Sequence, residues 1–175
     1  MSNNLEGLGK EGKGGAKHAA RVRLFQIMCA LEPERDVPLS QSEIEFRFEE
    51  LFVAPESKAE IKISELDSDE DDRGRAFVPF EEFRLTCAQV VKIREALDEI
   101  DSIIERFSTG WKPSRMSLVD RTAIRIAVYE GFVARTVPVS VALSEAVLLC
   151  KEFSGPESGR FVNGVLARIA RAPEQ

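Results

Sequence analysis

A cluster of three basic side chains is the first feature of the sequence that could bind a ligand. Lys17, His18 and Arg21 lie within five positions at the beginning of a predicted helix. The free amides and the dipole at the amino end of a helix favour phosphate, and cations there strengthen that preference. Such groups contact a nucleic-acid backbone and position it, whereas base edges carry the sequence information. The cluster therefore predicts a phosphate-binding surface.

Residues suited to catalysis or metal binding are sparse. His18 is the single histidine of the 175 residues, and no suitable nucleophile is near it in sequence. Cys29, Cys87 and Cys150 are far apart, form no CxxC pair and have apolar neighbours. Their number and spacing disfavour a disulfide framework or a zinc site and favour buried thiols. We expect no enzyme activity, no metal and no cofactor.

Two segments resemble ligand-binding loops but lack essential residues. Residues 7–14 match most of a phosphate-binding P-loop, yet the final Ser or Thr and a preceding apolar strand are missing. Asp67, Asp69 and Asp71 have the alternate spacing of a calcium loop, but Asp72 occupies the position of the glycine that makes its sharp turn. A solvated acidic connector at about 56–76 is the better interpretation of this segment.

The charge of the chain is unevenly distributed. The formal net charge of −6 would argue mildly against a nucleic-acid partner. Residues 32–72 carry a net charge of −11, however, and the rest of the chain carries +5. The acidity therefore belongs to one helix and its connector, and it counts little against RNA binding elsewhere.

Apolar residues recur every three to four positions through most of the chain, as they do on the buried stripe of a helix. This spacing includes Ala20, Leu24, Ile27 and Leu31 near the start, Phe83, Cys87, Val90, Ile93, Leu97, Ile100, Ile104 and Phe107 in the middle, and Phe161, Val165 and Ile169 near the end. No segment alternates with period two over a useful length. The sequence predicts an all-α bundle of six or seven helices over residues 16–172, after a disordered, glycine-rich tail at 1–15.

Capping signals mark the beginnings of two helices. Ser40 to Glu43 forms a capping box, and Ser117 to Asp120 repeats the arrangement before a later helix. In the helix after Ser40 we expect a buried face of Ile44, Phe48, Leu51 and Phe52. No apolar run reaches the roughly 18–20 residues that span a bilayer, and the amino terminus has no signal peptide, so a cytoplasmic location is expected.

Several blocks in the last third of the chain share their order and spacing with a known family. They are Asp120 to Glu130, Val137-Pro138 leading into Ala142 to Val147, Cys150 to Phe153, and Phe161 to Leu166, with Ala19-Ala20-Arg21 and Gln26 in the first helix. In these blocks the sequence closely resembles the NusB family of transcription antitermination factors. The resemblance is dense over residues 118–169, partial over 17–31 and nearly absent over 32–116.

The resemblance implies a helical domain of two packed halves and a function without catalysis. Members of this family bind the boxA element of nascent RNA together with NusE, a small-subunit ribosomal protein, on an elongating RNA polymerase. The family usually has two arginines where this chain has Lys17 and His18, so a protein-interaction module with weakened RNA binding is the alternative. NusB-like domains are also found fused to ribosomal RNA methyltransferases, and some members form homodimers through the first helix.

The resemblance also assigns roles to individual residues. RNA-binding positions fall on Lys17, His18, Arg21, Glu157 and Phe161. Each of the last two has an ordinary structural explanation as well, because Glu157 suits the first turn of a helix and Phe161 suits the core.

Four other positions have roles beside these. Asp120 corresponds to a position near the RNA and NusE surfaces, although it also belongs to a helix cap. We expect Arg125 and Tyr129 to pair within the bundle. Gly164 is predicted to let two helices approach closely, since glycine has no side chain at the contact.

Overall fold

Seven α-helices make up most of the chain in a computed structural model, which describes residues 8–53, 78–108 and 112–172, with side chains from Lys17 onward. They are α1 (Leu8–Ala30), α2 (Gln41–Phe52), α3 (Phe80–Glu95), α4 (Leu97–Phe107), α5 (Leu118–Val128), α6 (Val139–Phe153) and α7 (Pro156–Arg171). The all-α prediction and the number of helices are confirmed. The acidic connector predicted at 56–76, with its candidate calcium loop, lies outside the described residues, and so do residues 1–7 of the predicted tail.

Both predicted caps are present at the helix starts. The Ser40 hydroxyl accepts a hydrogen bond from the amide of Glu43, whose carboxylate accepts one from the Ser40 amide, at 3.3 and 2.8 Å. The Ser117 hydroxyl accepts a hydrogen bond from the amide of Asp120 at 3.1 Å. Each cap satisfies amides that have no partner inside the helix, which stabilises the helix by about 1 kcal/mol.

The helices form two packed halves, as the resemblance implied. In the first half α1 and α2 pack against α3, and in the second α5 and α7 pack on α6, with α4 contacting α5 and α7. Helix α1 joins the halves, because it contacts α3 on one side and α5 and α6 on the other. Leu24, Ile27 and Leu31, the predicted stripe of α1, are buried. Burying a side chain of this size contributes about 1.5–3 kcal/mol, so α1 is held firmly between the halves.

Three local predictions are corrected by the structure. Helix α1 begins at Leu8, eight residues before the predicted start, because extending an existing helix needs no new nucleus. Lys17, His18 and Arg21 therefore lie in the middle of α1, and the amino end of the helix, whose free amides were expected beside them, is more than two turns away. Leu51 is 43% exposed, because Phe52 takes the contact with α3 and places its ring 6.1 Å from that of Phe83. Gly164 is exposed, and a Cβ there would have no neighbour within 4 Å, so it does not mark a close helix contact.

A cluster of charged groups, here called the inner ion-pair cluster, ties the helices together. Arg125 is fully buried and donates to both carboxylate oxygens of Asp101 at 2.8 Å and to Glu32 at 2.9 Å. Arg121 contacts the other oxygen of Glu32 at 3.0 Å. The cluster joins α5 to α4 and to the turn that follows α1. Arg125 therefore has the structural role predicted for it.

Candidate nucleic-acid interface

The three predicted cations of α1 have very different surroundings. The Lys17 side chain is exposed and forms no ion pair with any described side chain. His18 is half-buried, whereas Arg21 is only 7% exposed. Among the α1 side chains that the structure describes, those of residues 17–30, only Lys17 therefore presents an unpaired positive charge to solvent.

His18 lies between two carboxylates of α6. Its Nδ1 is 2.8 Å from Oε2 of Glu145 and its Nε2 is 3.3 Å from Oε2 of Glu152. Burial acts to lower the pKa of His18, but the hydrogen bonds and the charges of both carboxylates outweigh it and raise the pKa above 6.5. In its protonated form the imidazole donates to both acids and joins α1 to α6.

Arg21 forms the centre of a buried pair. Its Nε donates to Oε2 of Glu130 at 2.8 Å, and Nε2 of Gln89 donates to Oε1 of the same carboxylate at 3.0 Å. Nη1 of Arg21 is also 3.9 Å from Glu145. We call the group of His18, Arg21, Glu130, Glu145 and Glu152 the outer ion-pair cluster. It fixes the middle of α1 against α3, α6 and the segment that follows α5.

A π-helical turn at Tyr129–Val133 places Glu130 in this cluster. The amide of Ala134 donates to the carbonyl of Tyr129 at 2.8 Å, which is the i to i+5 bond of a π-helix. Gly131 lies against α6, where an added Cβ would be 3.2 Å from Cβ of Ala142. Glu130 could not be identified from the sequence as a partner of Arg21, since 109 positions separate them and no spacing rule connects them.

A second group of predicted residues surrounds the beginning of α7. Asp120 accepts a hydrogen bond from the hydroxyl of Ser158, in addition to its place in the cap of α5. Glu157 is exposed and pairs with Arg160 at 2.7 Å. Phe161 is half-buried and packs against the core with part of its surface open to solvent. The first turns of α7 thus combine a carboxylate, a cation and an aromatic side chain.

The end of α6 connects this group to α1. Glu152 contacts His18, and the ring of Phe153 lies 4.9 Å from that of Phe25 on α1. Gly155 then starts α7 with a φ of +103°, a conformation that favours glycine. The end of α6 therefore links the predicted residues of α1 to the segment that leads into α7.

The thiols and acids of the described residues serve packing and ion pairing. Burial raises the pKa values of Cys87 and Cys150 to about 12, so both thiols stay protonated at neutral pH. No group of three or more histidine, cysteine or acidic side chains in the described ranges is arranged to hold a metal ion. Across the same ranges, none of the helices has the length and apolarity to cross a membrane.

Comparison with known proteins gives consistent matches. The NusB family model matches residues 18–171. A relative from Thermobifida fusca, named transcription antitermination protein NusB, is 34% identical over 162 residues, which are 93% of this chain and 94% of the relative. One of the same name from Pelotomaculum thermopropionicum is 48% identical over 81 residues, or 46% of this chain. That match spans only 56% of the relative's length.

Two solved structures share the fold. A crystal form of T. maritima NusB has a TM-score of 0.60 and 27% identity, covering 87% of this chain and 90% of that one. A structure described as a plectonemic RNA supercoil has a TM-score of 0.62 and 22% identity, covering 89% and 94%.

Proposed function

Because the chain belongs to the NusB family, we propose that it is a transcription antitermination factor that binds single-stranded boxA-type RNA. In this proposal it acts together with NusE on an elongating RNA polymerase in the cytoplasm, and it catalyses no reaction. The family membership supports the antitermination function. The RNA and protein partners follow from the resemblance and from the surface chemistry.

The observation that carries the proposal is that exposed Lys17 and half-buried His18 are adjacent on α1, and that His18 contacts Glu152 near the end of α6, which leads directly into α7. Cations on α1 suit the phosphates of a single strand. The partly open ring of Phe161 suits an unstacked base, because single-stranded RNA is recognised through stacking and through polar contacts to base edges. The exposed carboxylate of Glu157 can accept hydrogen bonds from such base edges.

Arg21 and Asp120 have supporting roles in this proposal. The guanidinium of Arg21 is buried against Glu130, so it joins α1 to the π-helical turn and neutralises a carboxylate beside the surface. Asp120 receives the Ser158 hydroxyl and fixes the first turn of α7, on which Glu157 and Phe161 are displayed.

A titration of the full chain with labelled boxA RNA, with and without NusE, tests the proposal. We expect a preference for boxA over a scrambled strand of the same length, and tighter binding when NusE is present. Each neutralised phosphate should add about 0.7 to the slope of log affinity against log salt. Equal affinity for both strands, with and without NusE, would overturn the proposal.

A protein-interaction module with weakened RNA binding is the second candidate. The observation in its favour is that His18 and Arg21 already face Glu130, Glu145 and Glu152, so fewer cations are free for phosphate. In this case NusE is captured with normal affinity while boxA RNA binds no better than the scrambled strand. The same titration, combined with a NusE pull-down, separates the two candidates.

A further inference from the structure

A groove beside the outer ion-pair cluster has no role in the function proposed so far. It lies between α1, α3 and the π-helical turn and has a volume of about 490 Å³. Volumes of a few hundred Å³ accommodate small ligands or one segment of a larger one. We propose that this groove holds one nucleotide of single-stranded RNA, with its base between the apolar walls and its phosphates at the rim. This inference rests on the proposed RNA-binding function.

The charges around the groove match a nucleotide. Lys17 of α1 and Lys92 of α3 both line it, and both side chains are exposed. Among the described side chains neither forms an ion pair, so both ammonium groups are available to phosphate. Glu130 is the carboxylate that lines the groove, and its negative charge is neutralised by Arg21. This pair therefore adds no net negative charge to the groove.

The walls of the groove suit the base itself. Ala20, Leu85 and Val137 contribute apolar surface, and Leu85 is 72% exposed although it is a large hydrophobic side chain. Tyr129 lines the same groove from the π-helical turn. Combining apolar or aromatic surface with cations along the backbone path is the usual way to bind a single strand. An acidic peptide would use the two lysines but not a base-sized apolar slot.

The groove also continues the proposed RNA surface, because Lys17 belongs to both. Lys17 lines the groove from α1 and is next to His18, which contacts α6, while Lys92 lines the groove from α3. RNA that contacts Lys17 would thus reach α3, a helix to which the family resemblance assigns no RNA contact.

Variants in which one charged side chain is replaced by glutamine test the groove. Lys92→Gln should weaken binding of the boxA strand by about threefold to tenfold at low salt and reduce the salt slope by about 0.7. Arg171→Gln, in the last turn of α7 and outside the groove lining, removes the same charge and should leave the affinity and the salt slope unchanged. Glu95→Gln should strengthen binding slightly, because it removes a negative charge near Tyr129, which lines the groove; burial and then the charge of Glu95 raise the pKa of that tyrosine.

A variant that keeps the charge of the protein tests whether the groove accommodates a base. Ala88→Leu narrows the groove, so it should weaken RNA binding while the salt slope stays at the wild-type value. Melting curves of all variants confirm that they fold. Photocrosslinking of 4-thiouridine-labelled RNA to the wild-type protein should label peptides of α3 or of the π-helical turn.

Failure of the groove and failure of the proposed function give different results. If the wild type does not prefer boxA RNA, the proposed function fails. If the wild type binds but Lys92→Gln and Ala88→Leu bind equally well and no crosslink reaches α3, the groove inference is overturned while the function stands. If these variants lose NusE but keep RNA, the groove is a protein site and the inference is wrong.

Discussion

Two buried arginines of this protein show how similar pairing serves different purposes. Arg125, in the inner ion-pair cluster, is fully buried and bound by two carboxylates from α4 and the turn after α1. Arg21, in the outer ion-pair cluster, is buried by the side of an open groove and has exposed Lys17 one helical turn away. Both anchor helices to each other.

The difference between the clusters is their access to a ligand. Arg125 is closed to solvent, so no phosphate can reach it and its ion pairs contribute only to the fold. A pair at the surface contributes to the fold and also sets the potential that an approaching anion meets. Losing Arg125 should therefore change stability alone, whereas losing Arg21 should change stability and binding.

The largest effect is expected for Arg125→Ala. Removing one member of a buried ion pair leaves its partners uncompensated, here Asp101 and Glu32, and costs about 3–5 kcal/mol of unfolding free energy. Urea titration followed by circular dichroism measures the loss. RNA affinity of the remaining folded fraction should be unchanged, and a specific loss of RNA affinity would contradict the separation of the two clusters.

Arg21→Ala should have a smaller effect on stability and a larger one on binding. Glu130 keeps the Gln89 hydrogen bond, so we expect a loss of about 2–3 kcal/mol in unfolding free energy. RNA affinity should fall about tenfold because a positive charge is gone and Glu130 is left uncompensated beside the groove. Arg125→Ala is the matched control, studied in the same buffer at a temperature where both variants are folded.

Gly131→Ala is expected to have the next largest effect, and it tests how the π-helical turn that carries Glu130 packs on α6. The new methyl group would lie 3.2 Å from Cβ of Ala142, which forces this turn and α6 slightly apart and costs about 1–2 kcal/mol of unfolding free energy. Gly164→Ala, with no neighbour within 4 Å, is the control and should not lower stability. Equal melting temperatures for the two variants would show that Gly131 is not a packing constraint.

The smallest effect is the pH dependence caused by His18. Its pKa in the folded protein lies above 6.5, so its pairing with Glu145 and Glu152 stabilises the fold fully below pH 6.5. That contribution is lost as the pH rises through the folded-state pKa. Because the ring is partly exposed, we expect less than about 1 kcal/mol.

The matched control for this prediction is His18→Gln, which cannot titrate. The difference in unfolding free energy between wild type and His18→Gln should fall from pH 5.5 to pH 8. A difference that grows over this range would have the wrong sign and would exclude the assigned pairing.

The parts of the molecule that depend on neighbours in sequence could be predicted. Ser40 and Ser117 cap their helices as expected, because a cap involves residues three positions apart. The buried stripe of α1 follows from helical spacing in the same way. Leu51 shows the limit of this reasoning, since the pattern indicates a face but not how far the partner helix extends along it.

The candidate site could be predicted only in part. The cations of α1 are visible as a cluster, but their partners Glu130 and Glu145 are more than a hundred positions away. The sequence pattern therefore suggested a freely cationic surface, whereas the structure shows two of the three groups paired. Lys92 was not identified either, because the packing of α3 against α1 brings it to the groove.

The π-helical turn at Tyr129–Val133 makes the segment sensitive to its length. One residue of an α-helix corresponds to a rotation of about 100°. Deleting one residue in this turn would therefore rotate the chain on one side of the deletion relative to the other by about this angle, and Glu130 would no longer face Arg21. A substitution in the turn changes one contact, but a deletion changes the register between α5 and α6. We therefore expect single-residue deletions in this turn to be tolerated far less than single substitutions, and a deletion scan would reveal this.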